Sequence, residues 1–285
     1  MYSNDWVEVA PQGSCQRPSV VESSLAGEVK VVFSKNALGL CTVRDLYQSG
    51  SLRVSPLRHE IAKGSLNLIH LGGGAVAGDR LYASIEVLDG ASVHLQDQGS
   101  LKIFKSAGLR GSSIRVDVEV RDGSHFSYVG EPVVLYGHAR FSSEVVIDIE
   151  SGSVSYLEVC GPGVGFHELQ RPRYDYFSST VSLTVDRTLT LYDKLTTDRS
   201  DPQLFDDTCD VLSVYPYLGT YVAADTKGPG STFIDDVSKV LSRISQKDRG
   251  FSLRFATHNR HISARILSKQ RDTIYSLLAP LTKIK

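Results

Sequence analysis

Three times in this chain, a run of alternating apolar and polar residues meets a glycine turn and resumes as a second run. The units are LYASIEVLDGASVHLQ, IRVDVEVRDGSHFSYVG and SEVVIDIESGSVSYLEV; their turn glycines Gly90, Gly123 and Gly152 lie 33 and then 29 residues apart. In the first unit Leu81, Ala83, Ile85 and Val87 share one face while Tyr82, Ser84 and Glu86 share the other. That period of two fits a strand with one wet face. Glycine accepts a positive φ at low cost, so Asp89-Gly90, Asp122-Gly123 and Ser151-Gly152 read as hairpin turns. Self-similarity at this spacing points to stacked hairpins that build one long sheet system.

The pattern extends to both sides. EVKVVFSK, SLNLIHL, SLKIFKS and PVVLYGHARF are strand-like, GLCTVRDLYQSGSLRVSPLR reads as two strands around Gln48-Ser49-Gly50, and STVSLTVDRTLTLYDKLT reads as a hairpin turning at Asp186-Arg187. Near the C-terminus the period changes. VLSVYPYLGTYVAA and GFSLRFATH are extended, but STFIDDVSKVLSRIS places Phe233, Val237, Val240, Leu241 and Ile244 on one helical face. ISARILSKQRDTIYSLLAPL reads as a second amphipathic helix carrying Ile262, Ile266, Ile274, Leu277, Leu278 and Leu281. The expected fold is mainly β: an extended stack of β-hairpins forming a large sheet or sandwich-like body, with two amphipathic helices near the C-terminus. Residues 1–25, rich in Ser, Pro and Gln, read as a loose arm, and 26–285 as a single β-rich domain.

Several function classes are disfavoured. A formal net charge of −1 supplies no global basic field for nucleic acid. No run approaches the roughly 18 apolar residues of a membrane span. The first residues, MYSNDWVEVAPQG, include Asp5 and Glu8 and no apolar core, so no secretory signal is expected and the chain reads as cytoplasmic. Cys15, Cys41, Cys160 and Cys209 are scattered without a C-x-x-C pair, which disfavours a disulfide framework or a four-cysteine zinc site.

The most glycine-dense stretch is HLGGGAVAGDR, His70 to Arg80. Gly72-x-Gly74-x-x-Ala77 has the loose spacing of a dinucleotide loop, and Gly73 with Gly78 has the spacing that opens a Walker A motif. A dinucleotide loop needs a helix directly after the glycines, and here a period-two strand follows. A Walker A loop needs Gly-Lys-[Ser/Thr], and here Gly78 precedes Asp79, whose carboxylate repels phosphate. The loop therefore reads as a strand connection that ends in a carboxylate. No G-x-S-x-G elbow, H-x-H or H-E-x-x-H occurs, so no catalytic constellation is expected. His258 and His261, three apart, read as ordinary histidines. His167-Glu168, after CGPGVGF, pairs an imidazole with a carboxylate and could hold Ni²⁺ or Zn²⁺ weakly. Acidic residues near turns, Asp79, Asp97, Glu131, Asp193 and Asp198, ordinarily satisfy turn amides or water. If several point into one cavity they become a cation path.

The order of motifs carries a resemblance. The Gly73–Asp79 loop precedes a strand and the DGA turn, then QDQGSLKIFKS, GEPVVLYGHARF, EVCGPGVGFHE, LTLYDKLTTD and FSLRFATHNRHISARIL follow in turn. This succession resembles the urease accessory proteins of the UreD/UreH family over roughly residues 28 to 280. The chain departs from the family pattern at His70-Leu71, where a Pro-Pro or similar pair precedes the glycines, and in the Gly161–Glu168 and Gln96–Lys102 segments. The resemblance implies a non-enzymatic urease maturation factor with no tightly bound cofactor. Such a scaffold binds apo-urease and the UreF-type and UreG-type (GTPase) accessory proteins, and helps to deliver nickel to the urease site. It further implies transient Ni²⁺ passage along an interior tunnel lined by polar and acidic side chains. By motif position Asp79 and Glu168 come first as lining residues, then Asp97 and Ser100, with His167 as an extra ligand peculiar to this chain. The competing expectation from the residues alone is a β-sandwich module that binds carbohydrate or protein and has no metal role.

Overall fold

Alternating burial fixes the strands, and a computed structural model describes them over residues 25–60, 63–106, 108–163, 174–199, 211–228, 231–245 and 250–283. The first five are β1 (Gly27–Lys35), β2 (Cys41–Gly50), β3 (Leu52–Val54), β4 (Arg58–Glu60) and β5 (Lys63–His70). Past the glycine loop come β6 (Arg80–Val87), β7 (Ser92–Asp97), β8 (Lys102–Ile103), β9 (Ser112–Val120), β10 (Ser124–Val129) and β11 (Val133–Leu135). Four long strands follow: β12 (Arg140–Ile149), β13 (Gly152–Pro162), β14 (Tyr176–Val185) and β15 (Thr188–Asp198). The C-terminal part holds α1 (Val211–Val214), β16 (Tyr217–Asp225), α2 (Thr232–Ser245), β17 (Phe251–His258), β18 (His261–Ser268), α3 (Arg271–Leu278) and a closing 3₁₀ turn (Ala279–Lys283). The mainly β body with helices near the C-terminus is thus as the sequence pattern requires.

The turns form as their residues dictate. Asp89 and Gly90 have φ of 56° and 67°, and Asp122 and Gly123 have 56° and 71°. Each turn is closed by a hydrogen bond of 3.0 Å, from Ala91 N to Leu88 O and from Ser124 N to Arg121 O. The strands these turns join, however, are not partners. β6, β9 and β12 run side by side in parallel within one sheet, while β7, β10 and β13 run in parallel within another. Val87 aligns with Val120 and Val120 with Ile149, while Phe126 aligns with both Val93 and Val154. Each turn therefore carries the chain from one sheet to the other, and the next unit satisfies its backbone groups. The units are rungs of a two-sheet coil, not hairpins. A period of two and an Asp-Gly turn suit both arrangements. Facing the two apolar stripes of one unit across a core buries both, and that decides the matter.

The first sheet has seven strands in the order β15-β14-β12-β9-β6-β1-β2; the second has eleven, eight of them in the order β17-β18-β16-β13-β10-β7-β5-β3. Only the ends are antiparallel. β14 and β15 form a true hairpin at Asp186-Arg187, as expected, with φ of 50° and 62°. The main core lies between the sheets and includes Val31, Phe33, Ile85, Val118, Phe141, Ile147 and Leu183.

A second core lies on the outer face of the second sheet. There Phe233, Ile234, Val237 and Leu241 of α2 and Ile274 and Leu278 of α3 cover Leu157, Val159, Tyr221 and Ile266. α2 is the helix that the 3.6-residue period requires. The second helix begins later than its apolar pattern suggested: residues 261–268 are β18, paired with both β16 and β17. Ile262, Ala264 and Ile266 obey a period of two there, and the two free sheet edges claim the segment. Among the described residues no helix is long and apolar enough to cross a membrane.

Candidate functional site

Strand alternation should place only apolar residues between the sheets, yet one row of the second sheet breaks that rule. On β7, Val93 and Leu95 face the intersheet core, so Asp97 faces it too. On β13, Val154 and Tyr156 face it, and Glu158 follows. Register aligns Leu68 with Asp97, Glu158 with Thr220, and Thr220 with Arg265. Gly130 continues the row between Asp97 and Glu158, its amide bonded to Leu157 O at 2.8 Å. A polar row, Asp97–Gly130–Glu158–Thr220–Arg265, therefore crosses the inside of the molecule.

The first sheet supplies complementary groups. Ser143 and Ser179 are register partners on β12 and β14, and both donate to Glu158, at 3.4 and 2.5 Å. Tyr156 donates to Glu158 at 3.3 Å, and Tyr128 to Asp97 at 2.9 Å. The two tyrosine rings stack with centroids 4.9 Å apart and link the carboxylates. The missing side chain at Gly130 leaves room for the Tyr128 ring: a Cβ there would stand 3.1 Å from it. The Glu131 amide also donates to Asp97, at 3.0 Å.

These groups surround a cavity of about 50 Å³, lined by His70, Asp97, Tyr128, Glu131, Ser143, Tyr156 and Glu158 among apolar neighbours. That is room for a few water molecules, since one needs roughly 10–15 Å³. His70 and Gly99 also line an outer hollow of about 270 Å³, whose walls include Gly72, Gly73, Gly74, Gln98, Ser100 and Lys102. The glycine loop therefore stands at the mouth of the interior cavity. Ala75 anchors it, its amide bonding Lys102 O at 2.7 Å.

Burial governs the charges. It pushes Asp97 up to about 7, against the opposing pull of the Tyr128 hydroxyl and the Glu131 amide. It also raises Glu158, while Ser179, Tyr156 and the positive charge of Arg265 pull the other way. Both tyrosines sit well above their ordinary value, first through burial and then through the neighbouring carboxylates, so they stay protonated and donate. Burial lowers His70, partly offset by Asp79, which leaves a neutral imidazole at the mouth. At neutral pH Asp97 is thus close to its midpoint.

Of the residues picked out by the sequence, Asp97 and Glu131 line the cavity and Ser100 lines the outer hollow. Asp79 closes a turn, accepting from Val76 N at 2.9 Å, and its charge reaches His70. Asp193 lies at the far end of the row, holding Arg265 through two bonds of 2.8 Å. His167 and Glu168 lie outside the described residues. Among the described residues no group of three or more His, Cys, Asp and Glu is arranged to hold a metal ion. Glu158 is the member that motif reading passed over. Its signal was present in SVSYLEVCG: an acid in phase with Val154 and Tyr156, on the apolar stripe of a buried strand.

Fold and site together define a coiled two-sheet β scaffold with a titratable polar row through its core. The sequence model of the UreD urease accessory protein family matches residues 25–284, and the chain belongs to that family. A protein named urease accessory protein UreD from Bacillus sp. (strain TB-90) is 29% identical over 197 residues, covering 68% of this chain and 70% of that relative. One of the same name from Staphylococcus saprophyticus subsp. saprophyticus is 25% identical over 214 residues, covering 74% of each chain. Membership assigns the chain an accessory role in urease maturation and points to a helper, not a catalyst.

Proposed function

We propose that this chain is a scaffold and metallochaperone. It would bind apo-urease together with UreF-type and UreG-type accessory proteins and pass Ni²⁺ toward the urease site along its interior row. The supporting observation is that Asp97 and Glu158, two carboxylates inside an apolar core, line one cavity that adjoins an outer hollow. A stable fold gains nothing from burying two carboxylates, which cost several kcal/mol unless fully compensated. Oxygen ligands with one imidazole suit a borderline divalent ion that must be released again. Asp79 beside His70 and Ser100 in the outer hollow would receive the ion, with Asp97 and Glu158 next along the path. Asp97, near its midpoint, would release a proton as the cation arrives.

The test is co-expression of the Asp97→Asn/Glu158→Gln double variant with urease and its other accessory proteins. The complex should still co-purify, while the nickel content and activity of the urease fall several-fold. Full nickel loading by the double variant would refute the role given to the row.

A further inference from the structure

The polar row does not stop at Glu158. Two strands further on, Arg265 occupies the same inner face, and Thr220 lies between them in register. Thr220 is 2% exposed, and its hydroxyl has no hydrogen-bond partner; Nη1 of Arg265 is likewise buried without one. Buried polar groups are rarely left unpaired, because each costs about 1–3 kcal/mol. Side by side they extend the row past Glu158 as polar groups that the surrounding protein leaves unsatisfied. Beyond Thr220, Arg265 meets Asp193 of β15 in a two-bond ion pair, with side chains 23% and 26% exposed. The pair therefore stands between the interior row and the solvent at the β15–β18 side of the molecule.

We propose that Arg265 is the charge barrier that closes the far end of the row and limits how tightly a divalent cation is held at Glu158. Asp193 holds the guanidinium in place and cancels part of its charge. This rests on the reading of the row as a cation path. A fixed positive charge on the row favours ionised Glu158, which the protein needs as a ligand, but it repels the cation that Glu158 would bind. Repulsion between a divalent ion and a lone guanidinium roughly 10 Å away lowers affinity by about a hundredfold or more at the effective dielectric of a protein interior; Asp193, bonded to the guanidinium, cancels most of it and leaves about tenfold. With Asp193 neutralised, Arg265 is free to turn inward onto Glu158, and the barrier rises.

The test is equilibrium dialysis of the full-length chain against Ni²⁺ at pH 7.5 and low salt. Arg265→Gln should bind Ni²⁺ about tenfold more tightly, Arg265→Lys like the unaltered chain, and Asp193→Asn more weakly. The Arg265→Gln/Asp193→Asn double variant should bind more tightly than the unaltered chain but no more tightly than Arg265→Gln, in which the Asp193 charge remains. Each variant is compared at a verified thermal unfolding midpoint, because an unfolded chain exposes histidines and cysteines that themselves bind Ni²⁺; the Asp193→Asn arm stands even if Arg265→Gln misfolds. Glu158→Gln separates the two ideas. If Glu158→Gln lowers binding but Arg265→Gln leaves it unchanged or weaker, the barrier is wrong and the path survives. If Glu158→Gln changes nothing, the path is wrong and the barrier falls with it.

Discussion

At the scale of single residues, Asp97 determines how this site responds to pH. Its carboxyl moves from an ordinary 3.8 up to about 7 on folding. Between those values the folded chain keeps a proton that the unfolded chain has lost, so stability falls as pH rises through that window and levels off above about 7. Asp97→Asn cannot ionise. We expect thermal unfolding of the unaltered chain to lose about 1–2 kcal/mol between pH 5 and pH 7.5 relative to Asp97→Asn, less than the full shift implies because the cavity admits water. Equal pH slopes for the two proteins would show that Asp97 is not held protonated. The sequence made Asp97 a candidate because it sits near a turn in a motif, and position alone sufficed. Glu158 needed phase: an acid on the buried stripe of a strand is visible only once that stripe is known to face a second sheet. Asp193 was one of several acids near turns, and only the fold brings Arg265 across from β18 to meet it.

At the scale of elements, the turns carry the instruction to change sheets, and two of their glycines differ in what they tolerate. Gly123 has φ of 71°, and a Cβ there would meet nothing within 4 Å, so Gly123→Ala faces only the left-handed backbone penalty, about 1 kcal/mol. Gly152 has φ of 134°, and a Cβ there would land on the Ser124 carbonyl oxygen of the neighbouring rung. Gly152→Ala must therefore push β13 away from β10 and should lower the urea midpoint several times further than Gly123→Ala. Similar midpoints for the two would mean that the rungs are not in register at this corner. The strands themselves were legible, because a period of two survives any pairing. Their partners were not, since rung and hairpin make the same demands on local sequence. Residues 261–268 show the same limit. Ile262 and Ile266 are four apart and fit a helical stripe, yet with Ala264 they also fit a strand, and the choice belonged to β16 and β17.

At the scale of the whole molecule, the site and the helices share strands. β13 and β16 are buried on both faces: Tyr156 and Val222 point into the intersheet core, and Val159 and Tyr221 point under the helices. Glu158 and Thr220 of the polar row belong to these same two strands. The apolar face of α2 is fully used in covering them, so that helix caps the sheet. Leu241 of α2 is completely buried, and Leu241→Ala should cost about 2–5 kcal/mol. In a coil whose rungs touch only their neighbours, such a loss spreads from rung to rung and does not strike all strands equally. Backbone amides of β13, β16 and β18 should lose most hydrogen-exchange protection in that variant, and those of β1 and β2, at the far end of the first sheet, least. A loss of the same size at β1 would show that the two sheets unfold as one unit. The graded outcome would instead place the Glu158–Thr220 part of the row in the segment that the helices stabilise.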